Sequence, residues 1–406
     1  MPQQNGPATG RPTRLDPATV YDPYPRYEQL RSEDPVHWNE GIQAWVLTGY
    51  QDVLDALRDP RLSAERISAL MRLAGSGEGL EALEQTFLGM MLFADPPDHT
   101  RLRSLANKAF TPGVLEGMRS QIQNTVDRLL DDVQEQGGME VISELAYPLP
   151  AMVISEILGV ADGDMDRFKK WSNDIAAFLG NIREARENVG PAQQSVAELT
   201  DFLREIVAQR RKEPKDDLLS ALVTAEDQGD SFSEDELYSM CVLLIFAGHE
   251  TTTNLIGNGI LALLRHPAQL EKLRGQPSLI ESAVEEILRY DGPVQTTSRT
   301  ALEDLRIGDK QIAKGDRISL TLGAANRDPA QFKDPDRFDI ERSEGRHMGF
   351  GFGIHFCLGA ALARMEGQAA INSVLRRMPE LRLVEQESEW RNNPVLRGLK
   401  ALPVTF

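Results

Sequence analysis

Phe350-Gly351-Phe352-Gly353-Ile354-His355-Phe356-Cys357-Leu358-Gly359 runs directly into Ala360-Ala361-Leu362-Ala363-Arg364, a stretch of helix-forming residues. Cys357 therefore sits in a glycine-rich turn at a helix N-terminus. Backbone N–H groups and the helix dipole favour a thiolate there. Gly353 and Gly359 allow close approach of backbone to the sulfur, and Phe350 and Phe356 keep water away. Such a turn suits one anionic sulfur acting as the axial ligand of a haem iron. The plain alternative is a cysteine buried as a small hydrophobe. Ten consecutive positions serving one purpose weigh against it. Gly351-x-Gly353-x-x-Phe356 lacks the third glycine of a dinucleotide fingerprint. His347, His355 and Cys357 lack the spacing of a zinc site.

The spacing Phe-x-x-Gly-x-x-x-Cys-x-Gly resembles the haem-binding loop of the cytochrome P450 superfamily. The resemblance implies that Cys357 is the metal ligand and that Phe350, Gly351 and Gly359 help to bind haem b.

The chain has 406 residues, 41% hydrophobic and 26% charged, with two cysteines, Cys241 and Cys357. This is ample for a large core, and no disulfide framework is implied. The net charge of -18 argues against nucleic acid and anionic membranes as general partners. The start, MPQQNGPATGRPTR, has no apolar run, and the longest apolar stretch, Cys241 to Gly248, is too short to span a bilayer. A cytoplasmic monomer is expected.

Residues 1–14 read as a disordered tail and 15–406 as one domain, mainly α with a smaller β-rich part. Helices are expected over Pro25–Ser32 and Tyr50–Leu57, and strands over Val36–Trp38 and Ala44–Leu47. Residues 70–95 should form short helices in a mobile segment. From Asp98 to about Arg376 helix periodicity dominates, with strands returning at Ile318–Leu320 and beyond Leu381. The β-rich part is expected to combine both termini with residues 292–322. Gly75-Ser76-Gly77 and Gly190-Pro191 read as mobile loops.

The strongest helix signal starts at Ser233, which forms a capping box with Glu236, and ends near His266 before Pro267. Its middle, Ala247-Gly248-His249-Glu250-Thr251-Thr252-Thr253, contains poor helix formers. Thr251 can bond back to the Ala247 carbonyl and open the helix locally. By the resemblance this is the oxygen-activation motif over the haem. Thr251 and Glu250 are then the catalytic pair, and Ala247 and Gly248 touch the haem face. His249 is expected to turn aside.

Glu286 and Arg289 share a helix face. With Arg337 they resemble the family's buried three-residue network. By resemblance His99, Arg103, Arg299 and His355 contact the haem propionates. The substrate pocket is expected to draw on Met90, Leu92, Phe178, Leu179, Leu244, Ala247, Val294, Gln295, Val395 and Leu396, so the substrate should be hydrophobic.

The resemblance implies a monooxygenase that uses dioxygen. Electrons would come from NADH or NADPH through an external ferredoxin or flavodoxin and its reductase, because the chain shows no flavin or iron–sulfur motif. A basic docking patch is expected from Arg101, Lys108 and Arg364. A peroxygenase normally lacks the acid–threonine pair. A gas sensor would carry an output domain.

Overall fold

The computed structural model describes residues 21–75, 80–159, 165–180, 185–215, 217–227, 229–384 and 388–406. The expected tail 1–14 and two of the loop residues, Ser76 and Gly77, lie outside these. The chain proceeds through α1 (Tyr24–Glu33), β1 (Val36–Asn39), β2 (Ala44–Leu47), α2 (Tyr50–Arg58), β3 (Leu62–Ser63), α3 (Ile67–Ala74), α4 (Leu80–Leu88), α5 (Asp98–Ala109), α6 (Pro112–Gln134) and β4 (Gly138–Glu140). Next come α7 (Pro148–Ile157), α8 (Met165–Gly180), α9 (Ala185–Lys212), α10 (Leu218–Val223), β5 (Glu226–Asp227), β6 (Asp230–Ser231), α11 (Glu234–Arg265), α12 (Pro267–Gly275) and α13 (Ile280–Tyr290). The remainder is β7 (Thr296–Ala301), β8 (Leu305–Ile307), β9 (Lys310–Ile312), β10 (Arg317–Thr321), α14 (Leu322–Ala325), α15 (Ala360–Arg377), β11 (Arg382–Leu383) and β12 (Pro403–Thr405).

The predicted capping box starts α11. Glu236 N–H donates to Ser233 Oγ at 3.3 Å, and Ser233 N–H donates to the Glu236 carboxylate at 2.9 Å. The helix keeps 32 residues, about 48 Å at the usual rise. Its middle is buried on most sides, polar residues included. It packs against α7, α8, α13 and α15.

The β-rich part differs from expectation in one respect. A five-stranded sheet in the order β1-β2-β10-β7-β3 joins the N-terminal strands to residues 296–321. The C-terminal strands instead make a separate sheet, β11-β12-β4. The stretch around β4 read as helical, yet Val404 pairs with Met139 and Thr405 with Gly138. A side chain at Gly138 would meet the Val404 carbonyl at 2.9 Å, so glycine allows this close pairing.

Gly190-Pro191 is helical, inside α9, rather than a loop. Ala192, Ser195, Val196, Leu199 and Leu203 are buried, and α9 packs along α8. That tertiary packing outweighs the local break. Two apolar cores result, one among the helices and a smaller one under the five-stranded sheet. A polar cleft of about 340 Å³ lies between α1 and the end of α11, and none of the predicted site residues lines it.

Candidate active site

Cys357 N–H donates to the Phe350 carbonyl at 3.0 Å, closing the turn before α15. Gly351 and Gly353 both have φ of 70°. Gly353 presses against α2 rather than the sulfur, since a side chain there would meet the Leu57 carbonyl at 2.9 Å. Around Gly359 the opposite holds: no atom lies within 4 Å of where its side chain would start. Its role is to leave room. Burial pushes the Cys357 thiol up, while the Gly359 N–H, Arg103 and Arg364 pull it down less strongly. By itself the turn therefore favours the thiol over the expected thiolate, and a cation bound at the sulfur would favour the thiolate.

The predicted cations gather beside this loop. Arg103 Nη1 donates to the Phe356 carbonyl at 2.7 Å. The His99 and His355 ring centroids stand 4.2 Å apart. His99 is 2% exposed, and neither of its ring nitrogens has a hydrogen-bond partner. Desolvation, then the neighbouring His99 ring and the cations Arg299, Arg66 and Arg103, push His355 down to about 3. Arg299 is lowered by burial. Arg66, which the sequence reading did not single out, is pushed down to about 9 by burial and by Arg299. The nearby acids are already engaged: Asp95 accepts from Ser63 and, at 2.8 Å, from the Ala64 N–H, and Glu65 accepts from the Ser68 N–H at 2.8 Å. Both acids act on the cluster through space, but among the described residues neither forms an ion pair with Arg66, Arg103 or Arg299.

On α11, Thr251 Oγ1 donates to the Ala247 carbonyl at 2.8 Å, as predicted. Leu244, Ala247, Gly248 and Thr251 are only partly buried, on a helix whose other middle residues are mostly buried. Their spacing of three and four places them on one face. That face fronts open space: a side chain at Gly248 would meet only Ile154, at 3.7 Å. Glu250 is 7% exposed and pairs with Arg391 at 3.7 Å. Burial raises its pKa, and Arg391 partly offsets this. His249 turns aside as expected, with Nδ1 3.2 Å from Ser172 Oγ and its ring edge-on to Tyr147.

The supporting network needs one correction. Arg289 pairs twice with Glu286, at 2.6 and 2.9 Å. The third member is Arg342, 3.2 Å from Glu286 with a side chain only 6% exposed. Arg337 is 64% exposed and pairs with Asp339 at 3.5 Å. Arg337 contributes only its carbonyl, which accepts from Arg289 and Arg342. The long side chain at 342 reaches inward because the irregular chain after α14 folds back over α13. Arg289 also binds the Asn326 and Pro335 carbonyls, and Asn326 Oδ1 accepts from Met348 N–H at 2.7 Å, just before the cysteine loop.

Among the pocket candidates, Met90 and Phe178 are wholly buried, and Phe178 stacks on Phe87 at 5.8 Å. Leu92, Leu179, Leu244, Val294, Val395 and Leu396 are partly buried. Gln295 does not join the pocket. Its amide donates to the Gly292 carbonyl at 2.8 Å and to Tyr24 on α1 at 3.3 Å. Strand alternation sends neighbours to opposite sides, so Val294, bridged to Leu396, and Gln295 part company.

The expected docking cations are already paired. Arg101 meets Glu236 and Asp230, Lys108 meets Asp227 at 3.3 Å, and Arg364 binds Glu285 twice, at 2.5 and 2.9 Å. Burial raises Glu285, but bonds from Arg364 and His347 outweigh it and bring it to about 2. On the cysteine side, exposed Arg58 and Arg346 instead flank the Phe352 ring at 4.2 and 4.5 Å. Ile354 beside them is 52% exposed.

Residues 79–394 match the family description Cytochrome P450. The chain belongs to the cytochrome P450 family. It is 45% identical over 399 residues to Cytochrome P450 107B1 of Saccharopolyspora erythraea, covering 96% of each chain. It is 41% identical to Cytochrome P450 monooxygenase PikC of Streptomyces venezuelae, covering 95% of this chain and 91% of that one. The crystal structure of P450BioI in complex with an acyl carrier protein ligated to hexadec-9Z-enoic acid superposes with a TM-score of 0.90 at 40% identity, covering 97% and 100% of the two chains.

This cytochrome P450 is a monooxygenase acting on small molecules, and its family implies a haem-thiolate cofactor. The residues present fit that group. They offer one thiol at a turn with open space beside it, a partly bare face with Ala247 and Gly248 on α11, and arginines without ion-pair partners among the described residues, suited to two carboxylates. Arg66, Arg342 and Arg391 lay beyond sequence reasoning, since an arginine in irregular chain carries no local signal of what it will meet. Among the described residues no helix is long and apolar enough to cross a membrane.

Proposed function

We propose that this cytochrome P450 inserts one oxygen atom of dioxygen into a hydrophobic small molecule, by C–H hydroxylation or epoxidation. Haem b, when bound, supplies dioxygen binding and O–O cleavage. Cys357 would hold it from one side. His99, Arg103, Arg299, His355 and the added Arg66 would receive its propionates. Ala247 and Gly248, having little side chain, let it lie close to α11. Glu286, Arg289 and Arg342 fix the chain that leads to the cysteine loop.

The observation that carries this reading is the partly bare stripe Leu244, Ala247, Gly248 and Thr251 in the mostly buried middle of α11. Glu250 and Thr251 are adjacent on the helix, so their side chains diverge by about 100° and need water between them. Glu250, raised by burial, can hold a proton nearer to neutral pH than an ordinary carboxylate. Thr251 Oγ1 already spends its own proton on Ala247, so its lone pairs are free to accept from that water. A water held by the Thr251 lone pairs can take a proton from Glu250 and give one of its own toward the open face.

Leu92, Leu179, Leu244, Val294, Val395 and Leu396 would present an apolar substrate. Related structures hold such molecules: that of P450BioI carries an acyl chain, and that of CYP267B1 carries myristic acid, the latter at 41% identity and a TM-score of 0.86. Electrons would come in the cytoplasm from an acidic ferredoxin or flavodoxin with its reductase. We place its docking at Arg58, Arg346 and Ile354 rather than at the paired Arg101, Lys108 and Arg364.

The test is the carbon monoxide difference spectrum of the reduced protein and of Cys357→Ser. A strongly red-shifted Soret band that the substitution abolishes is expected. A histidine-type spectrum, or no haem uptake, would sink the reading.

A further inference from the structure

Glu250, Asn254 and Asn258 recur every four residues and form one polar stripe along α11. All three are buried. The C-terminal segment 390–399 lies along this stripe at three successive turns. Arg391 Nη1 stands 3.7 Å from Glu250 Oε1. A side chain at Gly398 would overlap the Asn254 amide, so backbone and amide are in direct contact. Asn258 Nδ2 donates to the Arg397 carbonyl at 3.1 Å.

The segment is also folded on itself. Trp390 bridges Leu399, Arg391 N–H donates to the Gly398 carbonyl at 2.9 Å, and Arg391 Nε donates to the Leu399 carbonyl at 3.3 Å. Its tip is pinned where the Val395 and Leu396 N–H groups both donate to Asn393 Oδ1 at 2.9 Å. The guanidinium is therefore held by its own hairpin before it meets the acid.

We propose that Arg391 is a positioning residue for Glu250, holding the carboxylate in place and favouring its charged form against burial at the head of the proton relay. This rests on the reading of Glu250 as the acid of that relay. The other groups around Glu250 leave the role to Arg391. From the turn before α7 comes Tyr147, a phenol held protonated chiefly by burial. From α11 itself comes His249, pushed down to about 4 by burial and therefore neutral at pH 7, and Thr251, which does not titrate. Lys169 and Asp166 on α8 act on His249 and Tyr147 rather than on Glu250 directly. Among the described residues Arg391 is the one cation within ion-pair distance of the acid.

The experiment follows the infrared carboxyl band of Glu250 with pH in the ferric holoenzyme, the band being assigned by its loss in Glu250→Gln. Arg391→Ala is expected to move the protonation midpoint upward by about one pH unit, the low end for an ion pair because Arg391 is partly exposed. Arg391→Lys is expected to return it toward the wild-type value. Arg391→Gln serves as the neutral variant if the alanine form does not fold. An unmoved or lowered midpoint in the neutral variant overturns the proposal. If the midpoint moves but Glu250→Gln leaves NAD(P)H use coupled to product, the relay reading fails while the hold of Arg391 on Glu250 stands. If Glu250→Gln uncouples and the midpoint is unmoved, this proposal alone fails.

Discussion

At Thr251 one hydroxyl does two jobs: it relaxes the helix through the Ala247 carbonyl and offers lone pairs to the open face. Alanine keeps the helix and removes both. Thr251→Ala is expected to cut product formed per NAD(P)H consumed by roughly tenfold or more, within the ~10²–10⁴-fold that general acid–base assistance can supply, with haem content unchanged. Equal coupling in the two proteins would refute the relay. The two arginines near the cysteine loop give a second comparison at this scale. Removing Arg342 leaves part of the buried Glu286 charge unmatched and should cost about 3 kcal/mol in denaturant unfolding. Removing Arg337, an exposed partner of Asp339, should cost under about 1 kcal/mol. A larger loss for Arg337→Ala than for Arg342→Ala would restore the assignment made from sequence. The sequence could show Cys357, Thr251, Glu286 and Arg289, because each lies in a local pattern with a fixed spacing. It could not choose between Arg337 and Arg342, which differ only in the path of irregular chain. Gln295 misled because its apolar neighbours set the expectation while strand alternation turned it away.

At the scale of elements, α11 and α15 hold the two sides of the site. The α11 boundaries were legible to within a residue, since capping box and terminal proline are chemical signals that need no tertiary context. β4 was not, because its pairing with β12 joins residues more than 250 apart and depends on a glycine whose purpose appears only when the partner arrives. On α15, Glu366 is 2% exposed, its Oε2 lacks a partner, and burial pushes its pKa up to about 8, against 4.5 for the ordinary carboxyl. Its protonated form therefore favours the folded state fully below pH 4.5, and this contribution is lost as pH rises through 8. Across that window the loss is about 1.4 kcal/mol per pH unit. Glu366→Gln is expected to flatten the decline in unfolding free energy between pH 5 and pH 8. Parallel pH dependences for variant and wild type would show that Glu366 is not buried as a neutral acid.

For the whole molecule, a net charge of -18 repels an acidic electron donor at long range, so docking must rely on a local exception. Arg58 and Arg346 around Phe352 are that exception in the proposed reading. Reversing both to glutamate should slow reduction by an acidic ferredoxin roughly tenfold at low ionic strength, with the difference fading as salt rises. An unchanged rate and salt dependence would move the docking face elsewhere. No local pattern marks this face, since Arg101, Lys108 and Arg364 look as free as any cation until their carboxylates are seen.

The parallel pairing of β2 with β10 also has a temporal side. Trp45 on β2 donates to Asp316, 271 residues downstream, at the approach to β10. On the ribosome, at roughly 5–20 residues per second, the first hairpin waits on the order of 14–54 seconds before the strand that covers its edge is made. Through that interval β2 has β1 on one edge and no strand on the other. The five-stranded sheet can therefore close only once the chain has been made past residue 321, and until then its first hairpin carries an unclaimed edge.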